Sequence, residues 1–380
     1  MPALSSEYGW TKTVIASGTT AGGIAVALAS PFVGRILDRY GSRWVVPIGA
    51  TMTGLGCLAL AGIQAVPLFV AGYAFVRFSG QTLVQFPNSV TVAKWFETRR
   101  GRAMSLLVGI GSIGLISAPI GVQYMLDHHG IGAAWVSLGV LALSLGVAPS
   151  LLLMARGPED IGLLPDGRTE SAETTLTEPA NEGHEDWRLS EALHTPALWL
   201  IAGSTIFFSL SSTGVGFHQL SYYVEQGISS TTAAAVVSAF AFGITFGGVV
   251  WGALSDRVSA RVLISIQYGI SAVLQLVLLG ANTPGEAFPI SFGFGFLVGG
   301  ALSLPTLLLA DYYGRAHLGS IASILQMTRG VSLGSGPFVA AVIYDATGGY
   351  SLAFVSFALL CTASVVMMAF AYKPRRCAVA

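Results

Sequence analysis

Charge is scarce in this 380-residue chain. Asp, Glu, Lys and Arg together supply 10% of its residues, against roughly 25% in soluble proteins, which leaves too little polar surface to keep a globular fold in water. Only three lysines occur (Lys12, Lys94 and Lys373), and none follows a glycine. The Gly-Lys pair of a phosphate-binding loop is therefore missing, which excludes an ATPase of that type. Cysteines are equally few. Cys57 and Cys361 lie inside apolar runs and Cys377 lies in the tail. They form no CxxC and no His/Cys ligand spacing, so neither a disulfide framework nor zinc or redox chemistry is indicated and no cofactor is expected. Nor does the total charge favour a nucleic acid, because 19 basic residues balance 19 acidic ones.

What the chain has instead is long apolar runs, with 53% of its residues hydrophobic. A helix needs about 20 such residues to cross a hydrocarbon core. Eleven stretches qualify, at about 13–34, 44–66, 68–94, 102–127, 132–155, 196–219, 229–253, 262–282, 286–312, 317–344 and 350–372. The expected class is an all-α, multi-pass membrane protein. Residues 156–195 form the one long polar segment, with ten carboxylates against Arg156, Arg168 and Arg188. That composition cannot bury a core and reads as a mobile linker. At its end Thr195 and Pro196 suit the N-cap and first turn of the next span.

Threading the spans puts sixteen of the nineteen basic residues on one side, all but Lys12, which falls outside, and Arg77 and Arg329, which fall within spans. Lys and Arg mark cytoplasmic loops, so the linker and C-terminus are expected in the cytoplasm and the chain in the inner, cytoplasmic membrane. Trp10, Trp44, Trp95, Trp135, Trp199 and Trp251 fall near span ends, as interfacial anchors do.

The two sides of the linker repeat each other at a constant offset of 218. Glu7 matches Glu225, Gly9 matches Gly227, Gly34 matches Gly252, Asp38 matches Asp256, Arg39 matches Arg257 and Arg43 matches Arg261. The register continues through Pro87 and Pro305, Gly101 and Gly319, Pro119 and Pro337, and Gly130 and Gly348. This implies two duplicated, pseudo-symmetric bundles: residues 1–155 and 196–380, joined by 156–195. The span at 196–219 has its counterpart before Met1, so the first half is expected to lack its first helix, through an internal methionine taken as the start or a truncated gene.

GRILDRYGSR at 34–43 resembles the G-x-x-x-D-R-x-G-x-R signature of the major facilitator superfamily, and GALSDRVSAR is its weaker second copy. With the repeat, the resemblance covers the chain outside the linker and implies the major facilitator fold, here with eleven of twelve helices. EYGW, RGPEDIGLLPDG, LSEALHTPALWL and GPFVAAVIYDATGGY look like the monocarboxylate and oxalate/formate branch. The chain departs from the animal monocarboxylate carriers in having no Asp/Arg pair at 229–253.

Two cations lie deep in spans. Arg77 is ten residues after Pro67 and Arg329 ten after Gly319, each about 15 Å into a core of roughly 30 Å. An arginine there costs at least about 2.5–3.5 kcal/mol, so such residues face water-filled paths. Carboxylates fall only near span ends, which leaves room for an anionic substrate held by bidentate guanidinium contacts. Gln81, Gln85 and Asn88 follow Arg77 as a polar stripe. The competing reading is that Arg77 serves helix contacts or proton transfer, as in the superfamily's R-x-x-Q-G signature, met here with Gly80 and Gln81 swapped.

The resemblance implies further roles. His218 looks like a residue common in the branch, with a hydrogen-bonded gate as its alternative role. Asp38, beside Arg39 and Arg43, resembles the gating carboxylate that caps a helix of the opposite half when such proteins open outward. Asp256 and Arg257 repeat it. The glycines at 109, 111 and 114, like Gly334 and Gly336, are expected to let backbones approach. His128 and His129 read as solvated loop.

The expectation is a monomeric secondary transporter of a small organic anion, a monocarboxylate or short dicarboxylate, working by alternating access as proton symport or anion exchange. Proton-coupled drug efflux and an inactive truncated product are the alternatives.

Overall fold

The computed structural model describes residue 10 and residues 12–167 and 186–375. Glu7, Gly9, Arg168, Arg376, Cys377 and the middle of the acidic segment lie outside the described residues. Every regular element among the described residues is helical. In chain order they are α1 (Lys12–Tyr40), α2 (Ser42–Leu60), α3 (Val66–Phe78), a π-helical turn (Ser79–Gln85), α4 (Phe86–Trp95), α5 (Arg100–Leu153), α6 (Leu189–Leu193) and α7 (Pro196–Glu225). There follow α8 (Ser230–Leu254), α9 (Ala260–Leu278), α10 (Pro284–Gly300), α11 (Leu304–Tyr313), α12 (Leu318–Thr347) and α13 (Ser351–Phe370).

The expected spans map onto these helices with three differences. The runs at 102–127 and 132–155 join into α5, which turns only at Gly130, where φ is 81°, a conformation that glycine adopts without steric cost. The run at 68–94 is split by the π turn, whose Phe86 N–H bonds back to the Gln81 carbonyl. Pro87 follows at once and has no N–H to give, which favours the irregular turn. The run at 286–312 breaks between α10 and α11. Among the described residues, eight helical stretches are long and apolar enough to cross a membrane. α3 with α4, and α12, fall outside that set, and they are the helices that carry Arg77 and Arg329.

The chain groups into two compact units. The first comprises residues 1–97, 110–183 and 316–334, and the second 98–109, 184–315 and 335–380. In the first, α1 packs on α3, and α2 on the π turn. The Trp10 ring packs tilted on Phe69 with centroids 4.8 Å apart, and Tyr73 sits edge-on to Trp135. In the second, α8 and α10 meet along a seam of glycines: a methyl on Gly243 or Gly247 would strike the carbonyls of Phe292 or Phe296, and one on Gly295 or Gly299 those of Phe240 or Ile244. Two small-xxx-small rows thus mesh, backbone on backbone. Around them Tyr222, Tyr223, Phe294, Phe354 and Phe357 form an apolar cluster. Several buried polar groups in this unit are bonded: Gln219 donates to Ser291 at 2.6 Å, Ser211 donates to Gln275 at 2.8 Å, and the Gln267 amide donates to the Leu297 carbonyl.

Four smaller expectations change. Trp44 and Trp199 are exposed, as anchors are, but Trp10 and Trp251 are buried, the latter donating to the Phe296 carbonyl at 3.1 Å. Thr195 holds the N-cap position of α7 with Pro196 behind it, yet its hydroxyl pairs with Tyr313 at 2.6 Å and with the Ala192 carbonyl instead of capping. Gly111 and Gly114 face open space, while Gly336 is packed tightly against Leu210 and Thr213. The flanks of the acidic segment are built into the units. Asp166 accepts from the Glu97 N–H, Asp186 accepts from the Arg315 N–H at 2.9 Å, and Trp187 is buried edge-on to Tyr313.

The seam gives a direct test. Gly247→Val overfills it and is expected to cost about 1–3 kcal/mol, read as a lowered Tm of the purified protein. Gly285→Ala, where a methyl meets open space, leaves Tm unchanged.

Candidate functional site

A helix begins with backbone N–H groups that lack intrahelical partners, and in two places a carboxylate from another helix supplies the acceptor. In the first unit Asp38, near the end of α1, takes the Gly319 N–H at 2.8 Å and the Ser320 N–H at 2.6 Å, the second and third residues of α12. In the second unit Asp256, just beyond α8, takes the Gly101 N–H at 2.6 Å and the Arg102 N–H at 3.1 Å, the second and third residues of α5. The two arrangements are copies at the offset of 218. Negative charge at a helix N-terminus is also favoured by the helix dipole.

Glycine makes the approach possible. A methyl on Gly34 would lie 2.5 Å from the Gly319 carbonyl, and one on Gly319 would lie 2.7 Å from the Asp38 carboxylate. Gly252 and Gly101 repeat the relation. The copies differ in their cations. Asp38, 8% exposed, pairs with the half-buried Lys94 at 2.8 Å. Asp256 pairs with Arg102 at 3.4 Å, a side chain 66% exposed, and the buried Arg100 of that unit goes to Asp311 at 2.8 Å. Arg39, Arg43 and Arg257, expected beside these carboxylates, are exposed; the Arg39 guanidinium lies 5.4 Å from the Tyr40 ring. Sequence reasoning missed Lys94 as a partner, since 56 positions separate it from Asp38.

Arg77 and Arg329 both belong to the first unit. Adjacent glycines of α1 fix their level: Gly22 abuts the Arg77 side chain of α3, and Gly23 abuts the Gly330 carbonyl of α12, one residue past Arg329. The two arginine-bearing turns therefore dock on one turn of α1. Arg77 Nε is buried without a hydrogen-bond partner among the described residues, as is Asn88 Oδ1. An uncompensated buried donor of this kind is costly and needs explaining. Beyond Arg77, the π turn takes more residues per turn than an α-helix, so the expected stripe does not keep its 3.6-residue spacing. Gln81 stays half-buried and Gln85 becomes exposed. Thr53 and Ser79 link at 2.8 Å beside it.

His218 belongs to the second unit. Its Nε2 lies 3.0 Å from the Pro337 carbonyl and its Nδ1 3.2 Å from the Tyr350 hydroxyl. The carbonyl can only accept, so Nε2 carries a hydrogen. Among the described residues no cluster of His, Cys, Asp or Glu suits a metal ion.

A duplicated, all-helical membrane fold with carboxylate-capped helices at equivalent places in both halves defines a class of multi-pass transport protein. The model of the Major Facilitator Superfamily matches residues 1–226 and again 206–377, and the chain belongs to that superfamily, a family of transporters rather than enzymes. It is 24% identical to monocarboxylate transporter 13 of Bos taurus over 88% of this chain and 74% of the relative. It is 23% identical to the oxalate:formate antiporter of Oxalobacter formigenes over 83% of this chain and 72% of the relative. Among solved structures, a major facilitator in the outward conformation superposes with a TM-score of 0.73 at 15% identity, covering 98% of this chain and 94% of that one. A second structure of that same transporter, a variant of the Escherichia coli fucose:proton symporter, gives 0.67 at 16%, covering 95% and 91%. At those identities the structures establish the fold.

The difference between the two caps predicts unequal variants. Asp38→Asn is expected to cost about 1.5–3 kcal/mol, the range for hydrogen bonds to a charged group, because it also strands Lys94. Asp256→Asn is expected to cost less, since Arg102 is already solvated. Thermal unfolding of the two purified variants side by side checks the order.

Proposed function

We propose that this major facilitator moves a small organic anion, a monocarboxylate or short dicarboxylate, and that Arg77 and Arg329 bind its carboxylate. The observation that carries the reading is the buried, unpartnered Nε of Arg77, on the same turn of α1 as the α12 turn bearing Arg329. A guanidinium held in that state is a ready donor for a carboxylate, which accepts two parallel charge-assisted bonds. Gln81 and Gln85 border the same helix and add amide donors. The monocarboxylate and oxalate:formate names among the relatives are consistent with this class of substrate.

In this reading the halves at 1–155 and 196–380 carry out alternating access about the site, with the acidic segment between them and the basic side facing the cytoplasm. Asp38 and Asp256 act as latches, holding helix N-termini in one state and surrendering them to water in the other. Arg39, Arg43 and Arg257 supply the positive surroundings of those latches. His218 clasps α7 to α12 and to Tyr350 at the start of α13, and a substrate reaching it must displace those partners. Exchange and proton symport both remain compatible with a substrate that carries its own titratable carboxylate.

Reconstituted in proteoliposomes, the protein is expected to take up labelled small carboxylates. Arg77→Gln and Arg329→Gln should each lower uptake at least tenfold, about the loss of one charge-assisted hydrogen bond. Carboxylates should raise the Tm of the parent and of neither variant. A Tm rise with lipophilic cations that both variants retain would sink the anion site. Loading the vesicles with unlabelled carboxylate should accelerate uptake under exchange, whereas an imposed proton gradient should do so under symport.

A further inference from the structure

At the end of α1 that carries Asp38, on the side of the first unit away from the arginine site, lies a cavity of about 360 Å³. That is within the range of roughly 300–1,000 Å³ for small-molecule sites. Three guanidinium groups line it, from Arg39, Arg43 and Arg156, with Asp160 as the single carboxylate and Tyr40 and Trp44 as aromatic walls. The arrangement is built, not incidental. Arg156 donates to the Asp38 carbonyl at 3.2 Å. Gly41, at φ 76°, leaves no room for a side chain because a methyl there would lie 2.6 Å from the Arg156 side chain.

Two properties decide what fits. Three cations against one anion select a phosphate or comparably charged group, and guanidinium is the side chain best shaped for it. The apolar surroundings then choose the source. Ile36 and Tyr40 lie four apart on α1, Trp44 and Ile48 four apart on α2, and all four are 46–56% exposed. These two stripes lead away from the cavity along helices that cross the membrane. An acyl chain can lie along them, whereas a free phosphate gains nothing from them. We propose that this cavity binds the headgroup of an anionic glycerophospholipid, its phosphate held by Arg39, Arg43 and Arg156 and a headgroup hydroxyl by Asp160. Basic pockets at the ends of membrane helices take lipid headgroups in this way. Through Arg156 the bound lipid touches the backbone of the Asp38 latch. The proposal is independent of the substrate reading.

The test uses the full chain purified in detergent. Phosphatidylglycerol is expected to raise Tm at concentrations at which phosphatidylcholine, inorganic phosphate and glycerol 3-phosphate do not. In the doubly substituted Arg43→Gln/Arg156→Gln protein the phosphatidylglycerol needed for the same shift should rise about tenfold or more, and in Arg375→Gln it should not change. An equal shift with phosphatidylcholine, or an unchanged response in the double variant, overturns the proposal. An equal shift with inorganic phosphate reassigns the cavity to a soluble anion and overturns the lipid. Should the double variant not fold, brominated phosphatidylglycerol titrated into the parent and into Trp44→Phe decides the matter. The Trp44 share of the fluorescence should quench at lower concentration than with brominated phosphatidylcholine, and equal quenching by the two lipids overturns the assignment.

Discussion

A carboxylate on one helix seated on the open N-terminus of another is the contact on which the rest of the architecture turns. Asp38 on α12 and Asp256 on α5 each satisfy two backbone donors that no intrahelical partner can reach. Each contact requires a glycine on both helices, because a single methyl at Gly34, Gly319, Gly252 or Gly101 would collide with the facing backbone or carboxylate. Such a contact is strong when closed and cheap to open near the membrane surface, since water serves both the carboxylate and the N–H groups. In this the contact differs from the buried aromatic cluster of the second unit, which has no hydrated alternative.

Duplication built this contact twice, and later divergence has made the copies unequal. The first is closed by Lys94, held half-buried at 2.8 Å. The second leans on an exposed Arg102 at 3.4 Å, while the buried arginine beside it serves Asp311. The units also differ in how they are filled. The second is filled by meshed glycine rows and aromatic side chains, and it too keeps buried polar atoms without a hydrogen-bond partner, the Gln219 and Gln267 amide oxygens among them. The first keeps unsatisfied polar atoms at Arg77 and Asn88, a π turn next to them, and the basic cavity at its end.

The spans, the duplication and the family were legible because each rests on a property summed over many residues. Length of an apolar run suffices to specify a membrane helix, and an insertion-free offset of 218 does not depend on any one contact. Asp38 and Asp256 were legible for the same reason, through a motif present in two copies. Less could be read of single side chains. The 3.6-residue rule was applied to Arg77, Gln81, Gln85 and Asn88, and the π turn alters it where they sit. Trp10 and Trp251 lie near span ends, yet neighbouring helices cover them, and Thr195 has the right address for a cap but a better partner in Tyr313.

The sequence by itself determined the solvent, the all-helical class and the repeated plan, because hydrophobicity and periodicity are local and additive. It also placed two arginines at depth. Only the tertiary structure decided that Lys94 closes Asp38, that Gly22 and Gly23 bring both arginine turns to one level of α1, and that Arg39, Arg43 and Arg156 share one cavity. Those relations join residues tens to hundreds of positions apart, and they exist only once helices pack at distances that glycine permits and side chains find the partners that burial obliges them to take.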